Sequence, residues 1–170
     1  MNATSLQQEL IEQSLFRLNE NTPKIEKCLN ELTEDDIWKR PNNSSNSVGN
    51  IILHLCGNIN QYIISSIGGK EDIRKRAEEF STKGGYSKTE LFNKLTITVN
   101  EAADIISKCN NVELLRLRIV QGFEKSGVGI IIQVVEHYSY HAGQIIFWTK
   151  LLKDKDMGFY KGMDLNKKNK

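Results

Sequence analysis

Ile130-Ile131-Ile132-Gln133-Val134-Val135-Glu136-His137-Tyr138-Ser139-Tyr140-His141-Ala142-Gly143-Gln144-Ile145-Ile146 repeats its apolar residues at helical, not alternating, spacing, and this decides the fold class. Extended from about Ser126 to Leu152, the stretch is apolar over most of its circumference and predicts the most buried helix of the protein. Gln133, His137, His141 and Gln144 break the apolar pattern in a seam. At about 100° per residue, positions four apart differ by about 40° around the axis, so His137 and His141 share one face.

A second seam lies upstream. Asn50, His54, Asn58 and Gln61 follow the same rhythm in a helix predicted from Val48 to Ile67, opened by the polar run Asn42 to Ser47 and stopped by Gly68-Gly69. All three histidines of the chain therefore fall on the polar seams of two apolar helices. Another helix is expected over Ser87 to Cys109, where Ser87-Lys88-Thr89-Glu90 has capping-box form. The first helix should start after Thr4 or Ser5 and reach about Leu32, with Pro23 kinking or dividing it. Thr33-Glu34-Asp35-Asp36 reads as the cap of one short turn carrying Ile37 and Trp38, closed by Pro41. Residues 68–86 form a long charged connection with a helical turn expected around Glu71 to Glu79. Leu117-Arg118-Ile119-Val120 should run extended, followed by a return turn at Gln121-Gly122-Phe123-Glu124.

These elements predict an all-α protein, a four-helix bundle with long crossover connections. The connection after the second long helix is long enough to cross the bundle, so the second and third helices can run parallel. The bundle is assigned to residues 1–155 and a C-terminal tail to 156–170, frayed over its last five residues.

At 170 residues the chain can bury a core without disulfides or structural zinc. A net charge of +2 with 26% charged residues carries no clustered basic footprint for nucleic acid. The first thirty residues contain no uninterrupted apolar stretch, so neither a signal peptide nor a membrane anchor is expected. Cys28, Cys56 and Cys109 are odd in number and widely spaced, which fits reduced buried thiols in a cytosolic protein.

Two readings of the histidines stand side by side on the residues alone. In one, His54 packs as a satisfied core histidine, while His137 and His141 are a chance pair on a partly wet face. In the other, His54 from one helix meets His137 and His141 from its neighbour around a divalent transition metal such as zinc, nickel or iron, with positions left for water or substrate. Asn58, Gln133 and Gln144 would then orient the rings or line the pocket. Cys56, two residues beyond His54, projects about 200° away and is not expected to help.

Ser47-Val48-Gly49-Asn50-Ile51-Ile52-Leu53-His54-Leu55-Cys56-Gly57-Asn58, Gln121-Gly122-Phe123-Glu124 and Val134 to Ile146 together resemble the DinB/YfiT-like superfamily, and within it the DUF1572 domains. The resemblance covers essentially the whole chain. It implies a four-helix bundle with a metal held by one histidine of the second helix and an HxxxH pair of the fourth, positions that fall here on His54, His137 and His141. Homodimerisation is implied as well.

On function, the resemblance implies first a metal-dependent thiol S-transferase joining a low-molecular-weight thiol to a small electrophile. Bound thiolate would be the nucleophile, and no protein nucleophile would be required. Arg116 and Arg118 are candidates to receive a cosubstrate carboxylate, with solvated surface as their ordinary alternative. A hydrolase using metal-activated water is the second possibility, with Glu124 and Glu136 as candidate acid or base. The third is a non-catalytic metal-binding module.

Overall fold

The computed structural model describes residues 5–169, so the alternative helix start at Thr4 and the terminal Lys170 lie outside the described residues. Ser5 caps α1 (Leu6–Glu31), its hydroxyl accepting from the Gln8 amide. The helix runs through Pro23 and is not divided there. An interior proline costs about 3 kcal/mol. Leu18, Ile25, Cys28 and Leu29 are buried along this helix, and each large apolar side chain contributes roughly 1.5–3 kcal/mol. The stripe therefore outweighs the missing hydrogen bond.

The expected short turn is α2 (Glu34–Trp38), with a complete capping box between Thr33 and Asp36. A second capping box, Ser47 with Asn50, opens α3 (Val48–Ile59). The helix continues as a π-helical turn over Asn60–Ser65 and ends at Gly68-Gly69, where Gly69 takes φ 78°. The charged connection holds one short helix, α4 (Arg76–Ser81), displaced towards the C-terminal side of the predicted turn. Ser87 and Glu90 form the third capping box, at the start of α5 (Lys88–Ser107). A further short helix, α6 (Asn111–Leu115), had no apolar repeat long enough to announce it.

Leu117–Val120 is strand β1, and it pairs antiparallel with β2 (Phe123–Ser126). The return turn is only Gln121-Gly122, both at positive φ (50° and 79°), and Phe123 and Glu124 already belong to β2. Such two-residue turns fit the twist of a hairpin. Gln121 pays for its left-handed backbone with a hydrogen bond from the Tyr62 hydroxyl, 2.9 Å away.

The last helix is α7 (Gly127–Lys153). It packs on α1 and α3, while α5 packs on α3 and α1, so the four long helices close a ring. Polar contacts at the ends give their directions. Lys88 at the start of α5 bonds Leu32 and Glu34, and Gln7 bonds the Cys109 carbonyl, so α1 and α5 are antiparallel. Lys153 and Lys155 pair with Asp36 and Glu31, so α7 runs parallel to α1. Trp38 spans from Gly49, at the start of α3, to Tyr86, before α5, while Gly68 meets Ile105 at their far ends. Thus α3 and α5 run parallel, as the crossover length allowed.

Burial departs from one expectation. It is α3 whose residues are almost all buried, whereas α7 leaves Ile132, Tyr140, Phe147 and Leu151 exposed on one stripe. The reason is position in the ring. The crossover lies over the face of α3 that the bundle does not cover, but among the described residues the outer stripe of α7 stays exposed. After α7 the chain continues in turns, with Met157 buried against the core.

Candidate metal centre

The site is assembled by facing seams on α3 and α7. His54, buried on α3, brings Nε2 to 2.9 Å from Nε2 of His137 on α7, and His141 stands one turn further along. One donor atom from each of the three histidines lies within 4.8 Å of the others. The rings meet edge to face, with centroids 4.4 to 5.1 Å apart. Phe80 from α4 lies against His54 and Tyr140 against His141, forming aromatic walls.

Outer hydrogen bonds select the atoms left facing inward. His54 Nδ1 is 2.8 Å from Glu79 Oε2, and His141 Nδ1 is 2.7 Å from Gln144 Oε1. A carboxylate oxygen and an amide oxygen only accept, so each Nδ1 is assigned the proton and each Nε2 a lone pair. Burial, then the neighbouring His141 and His54, pushes the His137 ring down to about 4, and burial also lowers His141. Both rings are therefore neutral near pH 7, the form that binds metal.

This donor set fits a transition ion. Three imidazole nitrogens suit zinc, nickel or iron and leave further coordination positions. Two nitrogens on one tetrahedral ion stand about 3.3 Å apart, so the His54–His137 pair lies a few tenths of an ångström closer than it would around an ion.

Glu79 had no signal of its own in the sequence, where it is one acid among several in a charged connection. Burial pushes its carboxyl up, but Arg74 and then His54 outweigh that and hold it below the usual range. Arg74 donates from Nε to Oε1 at 2.7 Å and from Nη2 to Oε2 at 2.9 Å. Its Nη1 also donates to Gln61. The α3 seam is thus covered by the crossover: Asn50 donates to the Glu79 and Thr82 carbonyls, His54 bonds Glu79, and Gln61 bonds Arg74. A buried polar seam required such a partner, and that requirement was the available clue.

Other sequence candidates make no hydrogen bond to the histidine rings among the described residues. Asn58 is buried with Oδ1 lacking a protein partner, and neither it nor Gln133 is hydrogen-bonded to a histidine among the described residues. Arg118 is committed to Glu113, and Arg116 lies beside the same carboxylate. Glu124 is exposed on the hairpin, and Glu136 lines the groove between α7 and α1. Cys56 is buried, and burial pushes its thiol up to about 12. A cavity of about 510 Å³, lined by Gly57, Arg74 and Glu79, does not include the histidines.

The bundle, with its parallel middle helices and its three-histidine cluster, has a DinB-like fold. Its fold is similar to the crystal structure of a DinB-like protein, YjoA, from Bacillus subtilis, with TM-score 0.63 at 15% identity over 87% of this chain and 94% of that one. The model of the family described as "Protein of unknown function (DUF1572)" matches residues 5–163, and the chain belongs to that family. No curated protein matches it.

Proposed function

We propose that the protein is a metal-dependent thiol S-transferase that conjugates a low-molecular-weight thiol to a small electrophile. The observation that carries this reading is the convergence of three imidazole donors within 4.8 Å, a group that includes neither Glu124 nor Glu136. His54, His137 and His141 would hold a divalent zinc, nickel or iron ion. When bound, the ion would supply Lewis acidity that keeps a thiol ionised near neutral pH.

The protein's own groups bind and orient. Glu79 and Gln144 fix two of the rings, while Phe80 and Tyr140 wall the approach. Arg76, whose guanidinium lies over Phe80, takes the place of Arg116 and Arg118 as the candidate for a cosubstrate carboxylate. In the reaction the thiol gives up its proton, its sulfur forms a bond to the electrophilic carbon, and the leaving group departs with its electron pair. The buried cysteines supply no competing nucleophile.

In this reading the partners are a small-molecule thiol and a second copy of the chain, with the exposed α7 stripe as the contact. No helix among the described residues is long and apolar enough to cross a membrane, and three free buried thiols fit the reducing cytosol.

The test measures thiol consumption by metal-loaded protein against a panel of thiols and electrophiles, with the His54→Ala/His137→Ala/His141→Ala protein as control. Conjugation that needs both thiol and metal supports the transferase. Turnover without thiol would point to a hydrolase, and metal retention without turnover to a binding module.

A further inference from the structure

We propose that Arg74 and Glu79 are positioning residues of the metal centre, holding His54 with its proton on Nδ1 and Nε2 presented to the ion, and that Gly57 is glycine to admit them. The inference rests on the three-histidine reading above and adds residues from outside both seams.

Three observations converge. The first is the bonding chain: Arg74 grips both oxygens of Glu79, and Glu79 Oε2 meets His54 Nδ1 at 2.8 Å. Metal-binding histidines commonly donate their second ring N–H to a carboxylate, which fixes ring orientation and raises ligand basicity. Arg74 Nη2 also lies 3.2 Å from His54 Nδ1. Since that nitrogen carries the proton given to Glu79, the approach is not a second hydrogen bond.

The second observation is burial. The side chains of Arg74 and Glu79 are only 3% and 9% exposed. A buried ion pair recovers little net stability after desolvation, so stability alone is a weak reason for one here. Its backbone is anchored too: Asn50 holds the Glu79 and Thr82 carbonyls, and Arg40 holds that of Phe80.

The third is Gly57. A Cβ there would stand 1.9 Å from Glu79 Oε1 and 3.1 Å from Arg74 Nε. Gly57 follows His54 by three residues, so the two share a helix face. Any side chain at 57 would displace the carboxylate that fixes the ring.

Two measurements test this on the full-length protein. Nitrogen-15 NMR of the metal-free wild type should show His54 protonated on Nδ1. Cobalt(II) titration, read by d–d absorption, should show affinity falling about 10–100-fold in Gly57→Ala and in the charge-free Arg74→Met/Glu79→Leu protein, with circular dichroism unchanged. Such a double replacement usually preserves folding, so a role in structure alone would leave cobalt affinity unmoved. Wild-type affinity in both variants, or a His54 proton on Nε2, would overturn the proposal while leaving the metal reading intact. Wild type that binds no cobalt would remove both. If neither variant folds, the nitrogen spectrum of the wild type decides alone.

Discussion

Burial raises the thiols of Cys28, Cys56 and Cys109, so native protein should resist alkylation at neutral pH and react at all three cysteines only when unfolded. Mass spectrometry after iodoacetamide treatment measures this, and rapid native labelling of Cys56 would contradict the packing described. Among single residues, His54, His137 and His141 were legible because a helix has a fixed angular period and all three lay on seams. Glu79 was not legible, because nothing local separates it from Glu71 or Glu78; only the path of the crossover brings it to His54.

Among the elements, those with local signals were readable. Thr33, Ser47 and Ser87 each close a capping box, and apolar periodicity carried the four long helices. The π-helical turn, α6 and the second strand depend on neighbours and gave weaker signals. Two helical glycines separate the causes at work. At Gly127, on the first turn of α7, a Cβ would meet the Glu113 carbonyl oxygen at 2.3 Å, whereas at Gly143 nothing lies within 4 Å. Gly127→Ala should cost roughly 1–3 kcal/mol through overpacking, and Gly143→Ala should gain up to about 1 kcal/mol through helix propensity. Urea unfolding of the two variants should show opposite signs; equal shifts would reject this account of the α6–α7 contact.

The ends of α2 and α7 are joined by a pH-sensitive pair. Lys153, then the Thr33 amide, hold the Asp36 carboxyl down at about 2, against an ordinary value of 3.8. A lowered folded value means that the contribution is fully present above about pH 4 and disappears as pH falls through about 2. Lys153→Met should therefore be less stable than wild type at pH 5, and the gap should close towards pH 2. A gap in melting temperature that stays constant over this range would show that Lys153 acts without Asp36.

For the whole molecule, the up-down-down-up course of the long helices follows from the crossover, which brings polar groups onto α3 and leaves α7 with an apolar outer stripe. On that stripe sequence hydropathy and burial disagree: the helix predicted to be most buried exposes Ile132, Tyr140, Phe147 and Leu151. Pairing with a second copy would cover it. Sedimentation velocity should then show a wild-type dimer and a monomeric Phe147→Glu variant, whereas a monomeric wild type would dispose of the dimer.

The central claim is that His54, His137 and His141 form one metal centre, and metal stoichiometry tests it most directly. Gently purified wild type and the triple His54→Ala/His137→Ala/His141→Ala protein should be compared by elemental analysis before and after loading with zinc, nickel and iron. About one transition ion per wild-type chain and none retained by the triple variant is the expected result. Equal retention by both proteins, or none by wild type under any loading condition, would contradict it and leave three histidines packed between two helices.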